Sequence, residues 1–468
     1  MKPALKDVRI ALVDADLINK GSRHPNLALL KIAGLLHDNN ICFELITDDN
    51  ADISEYNHIY MSKVFTFSKD PSFYTNANCF ERKKFIIGGT GYYATETNIE
   101  EFRKKRQEDM EKLSKDPFLG RLHNKYGDSS KKFGIDMKRQ MPYYDLYVPY
   151  INSILDKEPD EGKRFKLRKK YKDYLDYSIG FLTRGCTRHC PFCVNKLEFR
   201  VVKNSNLEWF YDPTKPYVYF WDDNFFAAPK EIWKPILQEL IDKRIKFQFR
   251  QGLDERQFSE SPDGEEMAEM LSRASYHGDY IFAFDNWRDR ETIERSLKVW
   301  LKYNPTRPTK FYLFCGFMQS KDNISRFYKD IWELFQRIKI LMQYGCIGYV
   351  MRHEDYHNAP IENFYVQMAR WCNQPAFYKK MSFWEYCYRN QSYWEQKTFP
   401  ERETKDIVSF DEFEEQLKNG RYNEEIKLCL PLQTVMNVLS MFPEHRIELI
   451  EMFNYKFSRL KNPKLWSS

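Results

Sequence analysis

From residue 177 to residue 351 the chain repeats one rhythm six times, a short apolar run followed by a polar or helix-patterned stretch. The apolar runs are 177–182, 217–221, 246–250, 280–284, 310–315 and 347–351. Between them, helix-type spacing of apolar residues fills 229–243, 264–274, 290–303 and 323–343. Six strands, each followed by a helix or loop, predict a partial (β/α)6 barrel of the TIM type. Such barrels carry their chemistry at the C-terminal ends of the strands.

The first hundred residues follow a similar alternation on a smaller scale. Strands are expected at 8–13, 42–47, 58–62 and 84–87, with a helix at 26–37. Short connections between strands and helices imply a parallel, Rossmann-like sheet. Residues 98–172 are charge-rich and weakly periodic. They include Lys163, Arg164, Lys166, Arg168, Lys169 and Lys170, a run that reads as a solvated linker or helix face, or as a phosphate or nucleic-acid contact. Beyond residue 356 the strand signal fades into helical, aromatic-rich sequence. The chain is therefore expected to be α/β, with a Rossmann-like domain at 1–100, a charged segment at 101–175, the barrel at 176–356 and a mostly helical region at 357–468.

With 42% hydrophobic and 16% aromatic residues, 468 residues suffice for two or three folded units. A net charge of +6 permits an anionic partner without demanding one. The apolar runs, such as 85–89, are far too short to span a membrane, and the N-terminus lacks the pattern of a signal peptide. Ten cysteines without a secretion signal point to a reducing cytoplasm, where clustered thiols serve as metal ligands more often than as disulfides.

Three of those cysteines stand together. Cys186, Cys190 and Cys193 follow the first barrel strand on one tight loop, with Phe192 directly before the last. Thiolates favour iron–sulfur clusters or zinc. A structural zinc site wants four closed ligands, and no fourth cysteine is near, although His189 is a conceivable substitute. Three ligands suit a cluster that leaves one iron open to chelate an amino acid through its amine and carboxylate.

The Cys-x3-Cys-x2-Cys spacing with its aromatic, placed after the first strand of such a barrel, resembles the cluster loop of radical S-adenosylmethionine (SAM) enzymes. That resemblance implies a 4Fe-4S cluster on Cys186, Cys190 and Cys193, with SAM on the open iron. It also implies reductive cleavage to methionine and a 5′-deoxyadenosyl radical for hydrogen abstraction, fed by an electron donor such as flavodoxin or ferredoxin. Residues at the later strand ends are expected to complete the cofactor site. Asp222 and Asp223 end the second strand, where a carboxylate would stabilise the SAM amine, or one of them caps the turn into the helix that starts near Pro229. Arg250 would face the SAM carboxylate, and Gln251 or Asp254 the ribose hydroxyls or substrate. Asp285, Asn286 and Arg352 are further pocket residues, while His353 beside Glu354 reads as an acid–base pair or as an ordinary loop histidine. Cys315, Cys346, Cys372, Cys387 and Cys429 read as buried inert thiols. Sequence assigns no catalytic residue.

The order of domains resembles cobalamin-dependent members of that family. Gly88-Gly89-Thr90-Gly91 looks like the glycine-rich strand end of their N-terminal domain, and Arg23-His24-Pro25-Asn26-Leu27 like the opening of its first helix. The Asp-x-His-x-x-Gly motif, whose histidine ligates cobalt in many such domains, is absent. Cobalamin binding, with coupled methyl transfer, and a docking domain that shapes the substrate cleft both remain open. The substrate class (small molecule, peptide or RNA) is open too. The rival expectation is a metal-stabilised nucleic-acid-binding protein without radical chemistry, in which the basic run and exposed aromatics contact RNA.

Overall fold

The computed structural model describes residues 8–20, 24–123, 136–195, 197–304, 306–401 and 407–457. Arg23 lies outside them. The chain is mixed α/β, with parallel sheets and helices, and divides into two compact units. One comprises residues 1–232 and 239–250, the other residues 233–238 and 251–468.

In the first unit, β1 (Ile10–Asp14), β2 (Phe43–Ile46), β3 (His58–Ser62) and β4 (Phe85–Gly88) form a parallel sheet in the order β2-β1-β3-β4. Successive side chains of a strand point to opposite faces. Ile10, Leu12 and Tyr60 accordingly join one buried cluster with Leu29, Leu30 and Ala33 of the helix Leu27–Asp38. Ala11, Val13, Ile59 and Met61 join a second cluster on the other face. Burial on both sides explains why β1 reads as an unbroken apolar run rather than an alternating one. The helix starts where Asn26 accepts hydrogen bonds from the Ala28 and Leu29 amides, at 3.1 and 3.3 Å.

The same unit holds a second parallel sheet of β5 (Tyr177–Gly180), β8 (Tyr217–Phe220) and β9 (Phe247–Phe249), in the order β5-β8-β9. Between β5 and β8 lies a two-stranded antiparallel pair, β6 (Thr183–Arg184) with β7 (Val202–Lys203). Tyr144 links the two parts of the unit: its hydroxyl donates to Phe210 O at 2.6 Å and accepts from Ile179 N at 2.9 Å.

In the second unit β10 (Tyr280–Ala283), β11 (Thr309–Cys315) and β12 (Ile347–Arg352) form a parallel sheet in chain order. The helix Arg290–Tyr303 buries Ile293, Leu297, Trp300 and Leu301 at helical spacing. Trp300 stacks on Phe258, and its indole N–H donates to Thr309 Oγ1 at 3.0 Å. Among the described residues no strand follows β12. Phe364, Trp371, Phe383 and Phe453 of the later helices pack as buried rings with Phe335 of the helix Ile324–Gln343, so these aromatic residues of the C-terminal sequence form helix core.

Every strand and helix expected from the sequence is present, with ends displaced by no more than two residues. β5 stops at Gly180 instead of Leu182 for a local reason: Leu182 and Thr183 turn their amides toward a buried carboxylate and leave the strand. No helix among the described residues is long and apolar enough to cross a membrane.

Candidate functional site

The three cysteines lie on the loop that joins β6 to β7. Pairing of Thr183 with Lys203 and Arg184 with Val202 closes the base of this loop, and the Cys186 amide donates to Glu198 O at 2.9 Å. Inside it, Cys193 N donates to Cys190 O at 3.0 Å, and His189 adopts a left-handed backbone (φ 50) that turns the chain into Cys190. Asn195 joins the two sides, accepting from Glu198 N at 3.1 Å. Phe192 is half-buried between Cys190 and Cys193.

Three consecutive residues at the end of β8 clasp the entrance to the loop. Asp222 is buried, and its Oδ1 accepts from Thr183 N at 2.5 Å and from the Thr183 hydroxyl at 2.6 Å, while Oδ2 accepts from Leu182 N at 3.1 Å. Asp223 accepts from Gly185 N at 2.8 Å and pairs with Arg184 at 3.4 Å. Asn224 donates its side-chain amide to Cys186 Sγ at 3.4 Å. Burial pushes the Asp222 carboxyl up to about 7, against the pull of its three donors. Asp222 is thus placed to position the loop, and its donors lie upstream at Leu182 and Thr183 rather than in the turn toward the helix near Pro229.

A second hold on the loop comes from residues that sequence patterns did not single out. Glu198 pairs with Arg106 of the helix Ile99–Lys115 and, at 3.7 Å, with Arg184. Arg106 and Glu198 are 92 positions apart, so no local spacing signals the contact.

The donor set suits thiolate ligands. Asn224 donates to Cys186 Sγ, and Asn195 N donates to Cys193 Sγ at 3.4 Å. Such N–H donors stabilise negative charge on sulfur and tune the potential of an iron–sulfur cluster. Among the described residues no three His, Cys, Asp or Glu side chains are drawn together around one point.

Arg250 follows β9, and its guanidinium lies 4.3 Å over the Tyr219 ring, 3.2 Å from Gln248 Oε1 and 3.2 Å from Asp173 Oδ2. His24 approaches the same Asp173 oxygen at 2.6 Å. A ligand carboxylate at Arg250 has Asp173 to compete with.

Gly88, Gly89 and Thr90 form the turn after β4. Gly89 is left-handed (φ 109), and a Cβ there would collide with the Lys63 carbonyl, so it admits the protein's own backbone. The Gly89 amide donates to both carboxylate oxygens of Asp109, at 3.1 and 3.2 Å, and a Cβ on Gly88 would stand 2.8 Å from Asp109 Oδ1. Asp109 takes the place an anionic cofactor tail would need. The Thr90 hydroxyl donates to Val64 O at 3.0 Å. A cavity beside the turn, lined by Thr90, Tyr93, Arg106 and Arg184, encloses about 70 Å³, too little for a corrin or a nucleotide. The residues present at this turn do not fit cobalamin.

In the second unit, Asp254 and Asp285 belong to one charged cluster. Arg256 bridges Asp254 at 2.6 Å and Asp289 at 2.7 Å. Burial raises Asp285 to about 6, opposed by the nearby Arg337 and Arg256. Arg337, itself buried, donates to Phe284 O, Asp285 O and Phe314 O at 2.7, 3.1 and 3.0 Å and so ties the ends of β10 and β11 together. Glu255 is fully buried beside Asp254, and desolvation holds its carboxyl well above the usual range. Gln251 is exposed. The Arg352 guanidinium lies over the Tyr356 ring, and the His353 ring accepts from Asp355 N, as an ordinary loop histidine does. Cys315, Cys346, Cys372 and Cys387 are buried, and burial pushes their thiols up, while Cys429 is partly buried.

No protein-family model matches the chain, and no curated protein matches it either.

Proposed function

We propose that this chain is a radical SAM enzyme, with Cys186, Cys190 and Cys193 as the ligands of a 4Fe-4S cluster. The observation that carries the reading is the cysteine loop itself: a three-thiol spacing, clasped at the end of a parallel strand, with N–H donors on two of its sulfurs. Three parallel sheets, β2-β1-β3-β4, β5-β8-β9 and β10-β11-β12, are compatible with the reading, the last two each running in chain order. A cluster held by Cys186, Cys190 and Cys193 would supply the one electron needed to cleave SAM to methionine and a 5′-deoxyadenosyl radical, which would take a hydrogen atom from substrate.

The chain's own residues do the rest. Asn224 and the Asn195 amide donate to ligand sulfurs, Asp222 and Asp223 fix the loop's entrance, and Arg106 with Glu198 braces its far side. A flavodoxin or ferredoxin of the cytoplasm is the proposed electron source. Cobalamin has no part in the reading, because Asp109 fills the glycine turn.

The test is SAM cleavage by anaerobically reconstituted, full-length protein under dithionite. Equal amounts of 5′-deoxyadenosine and methionine are expected from the native sequence and none from Cys186→Ala. Loaded protein that leaves SAM intact under reduction would overturn the proposal.

A further inference from the structure

The basic run of the linker is a helix, Glu161–Lys170, capped at its start by Asp160, which accepts from Lys163 N at 2.7 Å. None of its residues is buried. With each residue turned by ~100°, Lys163, Lys166, Lys169 and Lys170 share one face, and Phe165 sits at the edge of that face. Half-buried Leu167 sits at the opposite edge of that face, and half-buried Arg168 lies on the other side.

The arginines are tied to the protein. Arg168 pairs with Asp176 at 2.7 Å, and Arg164 donates to Glu158 O at 3.1 and 2.9 Å. On the lysine face, Lys170 lies 5.1 Å over the Tyr171 ring. Lys163, Lys166 and Lys169 are exposed and make no ion pair among the described residues, and Phe165 is 70% exposed. Like charges three and four residues apart destabilise a helix, and no residue of this helix is fully buried to offset them. A partner that brings negative charge removes the conflict.

We infer that this face binds single-stranded nucleic acid, with phosphates on Lys163, Lys166, Lys169 and Lys170 and a base stacked on Phe165. The combination of a cationic track and an exposed ring is what sequence-tolerant strand binding uses. A membrane surface is the poorer match, since a helix that lies on lipid needs an apolar face opposite its cations, and here the one exposed ring borders the lysines. As a surface the assignment stands on the helix alone. As the substrate class of the proposed enzyme it rests on the radical reading.

The measurement is fluorescence anisotropy of labelled RNA and DNA strands of roughly twelve nucleotides, titrated with full-length protein at several salt concentrations. The triple variant Lys163→Gln, Lys166→Gln, Lys169→Gln should reduce the slope of log affinity against log salt by about 2, at ~0.7 per phosphate for single strands. Phe165→Ala should weaken binding about tenfold with little change in slope. RNA and DNA arms tell which strand is preferred, and phosphatidylserine vesicles are the control. No strand binding by native protein, an unchanged slope in the triple variant, or binding to vesicles alone would overturn the inference. Cys186→Ala should still bind the strand. If strands bind and SAM is never cleaved, the surface stands and the enzyme reading fails.

Discussion

Asp222→Ala is expected to lose most of its bound iron and about 3–5 kcal/mol of folding stability. Two amides and one hydroxyl, on Leu182 and Thr183, end on this carboxylate inside the protein. Removing the acceptor strands three buried donors, each worth on the order of 1–3 kcal/mol when left unpaired, with partial relief if water enters the hole. The same donors set where the chain leaves β5, so the loop loses its register as well as its anchor. Denaturant unfolding of the metal-free protein measures the first effect, and iron content after reconstitution the second. A variant as stable as native protein and fully loaded would contradict the positioning role.

The pH dependence of that difference has a definite sign. The Asp222 carboxyl titrates near 7 in the folded protein, above the ordinary carboxyl value of about 4. A folded-state value raised in this way means that the folded form holds the proton more tightly. The stabilisation that Asp222 contributes is therefore complete below about pH 4 and is lost as pH rises through about 7. The stability gap between native protein and Asp222→Ala should narrow over that window. A gap that widens toward pH 8 would show that the three donors outweigh burial.

Gly185→Ala should separate loading from folding. Gly185 has φ 105, and a Cβ there would collide with the Arg200 carbonyl, which faces it across the loop base. Left-handed backbone alone costs a non-glycine residue about 1–2 kcal/mol, and the collision forces β6 and β7 apart. The damage is confined to the loop, one residue before Cys186, so the two sheets of the unit keep their packing. We expect a few degrees' loss in Tm and at least a tenfold fall in iron retained after desalting. Full iron retention would mean that the loop base need not close for the cysteines to gather.

How much of this was legible in the sequence depends on the distance between partners. β3 and the helix Arg290–Tyr303 have the ends expected of them, because apolar periodicity is a local property that tertiary contacts only sharpen. The cysteine spacing was legible for the same reason. Asp222, Asp223 and Asn224 stood out as a polar cluster at a strand end, but their target did not: the groups they hold lie some forty residues back. Arg106, Glu198, Asp173 and Asp109 carried no signal, since each gains its meaning from a partner far along the chain. Asp109 also shows how a motif misleads. Gly88-Gly89-Thr90-Gly91 reads as a cradle for a ligand, yet a carboxylate twenty residues on occupies it. Small residues announce close approach without saying what approaches.

Iron and sulfide analysis of the full-length protein, reconstituted without oxygen and desalted, bears most directly on the three-cysteine site. About four irons and four sulfides per chain are expected, with a brown absorbance that Cys186→Ala, Cys190→Ala and Cys193→Ala each abolish. Colourless protein holding a single zinc, retained by the same three thiols and His189, would contradict it.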